Sequence, residues 1–80
     1  MTLSISAIEK GLAHTRGELA HWQRVAACFE AGTQQRKTAE ARIEYAELSL
    51  RANTKLVAFL RRRISLYLTF HLPPPPDIDA

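Results

Sequence analysis

Two runs of helical periodicity, unequal in length and parted by a glycine break, constrain this 80-residue chain more than any other feature. In the first run, Ile5, Ile8, Leu12, Thr15, Leu19, Trp22, Ala26 and Phe29 follow one another in alternating steps of three and four. Such steps keep one face of a helix apolar over successive heptads. A second run holds the same rhythm through Ala39, Ile43, Ala46, Leu50, Asn53, Val57, Leu60, Ile64 and Tyr67. Between them, Gly32 can take the left-handed conformation that ends helices, and either Thr33 or Thr38 can cap the next one. The expected fold class is therefore all-α: an antiparallel two-helix hairpin with helices at about 4–31 and about 34–70.

Local signals refine this picture. Ser6 and Glu9 have capping-box spacing, with Ser4 as a rival cap. Gly11 and Gly17 imply close approach by a neighbouring helix or plain surface placement in preference to a hinge. Small residues early in the second run would face Trp22 and Phe29, the large-against-small matching that a packed core needs. Asn53 falls roughly opposite Thr15, where it could bond across the hairpin or fix its register.

The second helix outruns the first, and Ile64 to Leu72 is the surplus. This stretch also alternates like a strand, but continuity with a long helix favours helix to about residue 70. The four prolines from Pro73 to Pro76 stop either structure and favour a short extended rod, leaving Asp77 to Ala80 as a loose acidic end. The expected organisation is a hairpin domain over 1–72 and a proline-rich extended tail over 73–80.

A second stripe lies beside the first on the longer helix: Tyr45, Leu48, Ala52, Leu56, Phe59, Arg63, Leu66 and Phe70. One partner helix cannot cover both stripes. Completion as a dimeric four-helix bundle, or by a partner protein, is expected. The candidate partner-binding residues are Trp22, Tyr45, Leu48, Leu56, Phe59, Leu66, Tyr67 and Phe70.

Charge is unevenly placed. Residues 1–50 carry six basic and six acidic side chains, whereas 51–72 carry five basic and no acidic ones. Arg51, Lys55, Arg61, Arg62 and Arg63 form a candidate basic patch, which makes a nucleic-acid-binding accessory role the alternative reading. No helix-turn-helix or zinc-finger spacing accompanies it. The one cysteine, Cys28, excludes an internal disulfide and reads as a small buried or half-buried thiol. His14 and His21 share a face but would need ligands from another chain to hold a metal. With no phosphate loop or metal-ligand spacing, no enzyme activity, cofactor or metal is expected. No stretch reads as a secretory signal or a membrane span, so the expected location is cytoplasmic.

In layout, Ser6 to Phe59 with its turn at Gly32 resembles the small two-helix co-chaperones of type III secretion. That resemblance implies a cytoplasmic helical hairpin that holds a partner chaperone or needle subunit. The Arg61–Arg63 run and its proline stop depart from the pattern. The expected function is a non-catalytic helical protein–protein interaction module: an adaptor, inhibitor or chaperone.

Overall fold

The computed structural model describes residues 2–79. Its elements, in chain order, are β1 (Leu3–Ser4), α1 (Ile5–Ala27), α2 (Gln34–Thr69) and β2 (Ile78–Asp79). The two helices pack antiparallel as the expected hairpin, so that Ile5 at the start of α1 meets Leu60 late in α2. At 1.5 Å per residue, the 36 residues of α2 span about 54 Å, close to the 57 Å length of the molecule.

Ser4, not Ser6, caps α1, accepting a hydrogen bond from the Ala7 N–H at 3.2 Å. Glu9 is therefore free of the capping box and reaches across to Arg61 on α2. The first helix also stops at Ala27, short of the expected residue 31. There the Cys28 N–H bonds back to the Val25 carbonyl, and the Arg36 guanidinium donates to the Phe29 carbonyl at 3.1 Å. These bonds give the last peptide groups partners that a longer helix would not need. Gly32 takes φ +88°, and Thr33 caps α2 by accepting from the Arg36 N–H. Cys28 lies on the side of the chain away from the Trp22–Ala26 seam, and its thiol is exposed, against the expectation of burial.

Both seams close over most of their length, but Phe29 lies beyond the end of α1 and is exposed, so it does not pack on the small residues of α2 as expected. Ile5, Leu12 and Ala26 from α1, and Ala39, Ala46 and Leu60 from α2, are buried. Asn53 and Thr15 do not meet across the hairpin. The Asn53 amide donates to the Ser49 hydroxyl at 3.3 Å and the Thr15 hydroxyl to the Gly11 carbonyl at 2.9 Å, so each finds its partner one turn back. Gly11 and Gly17 face open space. Alanine at either position is expected to stabilise the fold by about 1 kcal/mol through helix propensity alone, raising the thermal midpoint by about 4–8 °C. A thermal melt followed by circular dichroism checks this; no rise would mean that a glycine is needed where the structure shows room.

The C-terminal segment is where the fold departs most from expectation. The surplus of α2 is helical to Thr69, then the chain reverses. The Leu72 N–H bonds to the Tyr67 carbonyl at 2.9 Å and the His71 N–H to the Leu68 carbonyl at 3.1 Å, with His71 at φ +54°. This is a Schellman cap with histidine in the left-handed position that glycine usually fills. Beyond it the prolines turn back towards the start of the chain, Pro75 is buried, and β2 pairs in parallel with β1, Leu3 beside Ile78 and Ser4 beside Asp79. Ile78 joins Ile5 and Leu60 in a cluster flanked by Ile8, Leu56, Val57 and Ile64. Asp77 to Asp79 are thus docked and not a loose end; Ala80 lies outside the described residues. Part of the surplus of α2 is covered by the chain's own tail.

Candidate helix-docking face

The outward stripe of α2 remains. Residues Tyr45, Leu48, Ala52, Leu56, Phe59, Arg63, Leu66 and Phe70 are three or four apart, so 3.6 residues per turn brings them to one side of the helix. Ala39, Ala46 and Leu60 turn towards α1 on a neighbouring side and are buried there. With α1 engaged by that seam, Tyr45 is 74% exposed, Phe59 58% and Phe70 68%, and Leu48 and Leu66 are about half exposed. Large apolar side chains left in water along one line mark an interaction surface more than scattered ones do.

Three of the candidate partner-binding residues sit off this exposed line. Leu56 is half-buried against the Ile5–Leu60–Ile78 cluster. Trp22 is half-buried in the seam, with the Arg42 guanidinium 5.8 Å from its ring centre and the His21 ring edge-on at 5.1 Å. Tyr67 is half-buried near the end of α2. The structure thus brings Tyr45, Leu48, Phe59, Leu66 and Phe70 together on one exposed line and turns the other three inward. It also exposes Leu68 and Leu72 at the tip of α2, whose apolar character was visible in the sequence but whose direction was not.

The basic patch divides in a similar way. Arg61 pairs with Glu9 across the hairpin, and the Arg63 guanidinium donates to the Asp77 carboxylate at 2.8 Å, tying the tail to α2. Arg51, Lys55 and Arg62 are exposed and have no ion-pair partner among the described residues. Asp77 was legible only as an acidic tail residue; nothing local links it to an arginine 14 positions earlier across four prolines.

The Arg63 hydrogen bond holds the Asp77 carboxyl below its usual range, and Asp77 in turn holds the Arg63 guanidinium above its own. A carboxyl whose pKa is depressed by folding contributes stability that is fully present above the unfolded value of about 3.9 and is lost as pH falls through the folded value. Arg63 stays charged throughout. Acidification below about pH 4 is therefore expected to loosen the tail. Thermal midpoints taken from neutral to acid pH should fall further for the wild type than for Asp77→Asn, which lacks the titrating group. Equal slopes would show that the pair contributes nothing to the fold.

Other chemistry is sparse. His14 pairs with Glu18 at 3.2 Å, one turn along the same helix. Among the described residues, no three His, Cys, Asp or Glu side chains lie together as a metal site. No described helix is long and apolar enough to cross a membrane. The structure defines the chain as an all-α helical hairpin whose own C-terminal segment folds back on it. The chain matches no known family, and no curated protein or solved structure is significantly similar to it.

Proposed function

We propose that this protein is a non-catalytic helical interaction module that acts in the cytoplasm as an adaptor, inhibitor or chaperone. In this reading, the outward stripe of α2 is its binding surface. The observation that supports it is the line of five exposed apolar residues, from Tyr45 to Phe70, on a helix whose other apolar side α1 already occupies. A helix with two apolar sides and one partner is incomplete, and a further helix laid along the stripe would complete a bundle. That helix would come from another protein or from a second copy. The layout shared with two-helix co-chaperones of type III secretion fits this reading. A nucleic-acid role is less well supported, since two arginines of the basic run are held in ion pairs.

The test is a Leu48→Glu/Phe59→Glu double variant. Both sites are exposed, so circular dichroism should show unchanged helicity. Peptide titration should show that the variant loses the helix binding of the wild type, and light scattering that it loses any self-association the wild type has. A wild type that is strictly monomeric at every concentration and binds no amphipathic helix would contradict the proposal.

A further inference from the structure

Resting on that reading, the geometry points to a particular occupant for the α2 stripe: an amphipathic helix of another protein that carries carboxylates along one edge of its apolar face. The flank of the stripe that faces away from α1 carries the charge that selects this occupant. Arg51, Lys55 and Arg62 fall on that flank by helical spacing, all are exposed, and no acidic residue lies between Arg51 and Leu72. Arg51 and Lys55 are one turn apart, where like charges repel along a helix. Neither has an ion-pair partner among the described residues to relieve that repulsion. Carboxylates supplied from outside would relieve it and set the orientation of the incoming helix.

The same charges argue against a second copy. Every charge on this flank from Arg51 to Arg62 is positive. An antiparallel two-fold pairing centred between Arg51 and Arg62 faces cation against cation. Glu40, Glu44 and Glu47 fall at the N-terminal end of that flank, Glu47 one turn before Arg51, so the stretch with no acidic neighbour runs from Lys55 to Arg62. The stripe from Tyr45 to Phe70 is about 38 Å long, which calls for a partner helix of about 25 residues. Arg63, although within the stripe, is held by Asp77 at 2.8 Å and so marks where the tail, not a partner, takes over the neighbouring surface.

The experiment uses the full chain and three synthetic helical peptides of that length, with one apolar stripe and an acidic, neutral or basic edge. Binding is read by fluorescence anisotropy, with anionic phospholipid vesicles as a further arm. The acidic-edged peptide is expected to bind about tenfold more tightly than the basic-edged one at low salt, with the gap closing as salt rises. Lys55→Glu/Arg62→Glu, both on the exposed surface, should reverse the preference while leaving the circular dichroism spectrum unchanged. Equal binding of all three peptides would overturn the acidic-edge inference and leave the interaction module standing. Binding to vesicles alone, or a stable dimer that ignores every peptide, would replace the occupant with a membrane surface or a second copy. A monomer that binds nothing would overturn the module itself.

Discussion

Leu60→Ala is expected to lower stability by about 2–5 kcal/mol, and with it the thermal midpoint by at least about 10 °C. Leu60 is 1% exposed and touches all three parts of the fold: α1 through Ile5, its own helix, and the tail through Ile78. Truncation there removes apolar contacts and leaves a void that three separate segments would have to move to fill. A domain of this size holds only a small reserve, since little of its surface can be buried. Much of the population should therefore unfold near physiological temperature. The check is a thermal melt against Leu66→Ala, which removes as many atoms from an exposed position and should change stability little. Similar midpoints for the two variants would mean that the core is not where the structure puts it.

Removing residues 73–80 is expected to have the next largest effect, a loss of about 2–3 kcal/mol. The cut leaves the Schellman cap at His71 and Leu72 in place, so α2 keeps its own ending. What goes is the burial of Ile78, the cover it gives Ile5 and Leu60, and the pairing of β2 with β1. The loss should be seen in hydrogen exchange as reduced protection at the start of α1, with the amides near Gly32 unaffected. Ile78→Ala in the full chain separates side-chain burial from strand pairing and should account for most of the change. A truncated chain that melts with the wild type would show that the tail rests on the hairpin without supporting it.

Much of the hairpin was legible because its causes are local. The seams at Ile5, Leu12 and Ala26, and at Ala39, Ala46 and Leu60, follow from periodicity alone, and Gly32 with Thr33 supplies the break and the cap. The outward stripe was legible for the same reason, since one neighbour cannot cover two sides of a helix. Where Ser4 and Ser6 compete, sequence offers two nearly equivalent caps, and Glu9 was drawn off by Arg61 from the other helix. The docking of the tail had no local signature. It depends on a left-handed histidine, on a parallel pairing between Leu3 and Ile78 at opposite ends of the chain, and on one isoleucine set among prolines and aspartates. For the same reason Arg63 read as part of a free basic patch, although Asp77 of the tail engages it.

Whether the outward side of α2 is a helix-binding surface can be read by thiol footprinting. In a Cys28→Ser background, single cysteines replace Leu48 or Leu66 on the stripe, or Thr54 on an exposed position off it. Alkylation is timed by mass spectrometry with and without saturating acidic-edged helical peptide. Both stripe thiols are expected to be slowed by about tenfold or more while the thiol at position 54 reacts as before. Protection at position 54, or stripe thiols that react at the same rate with and without the bound helix, would contradict a helix-binding surface there.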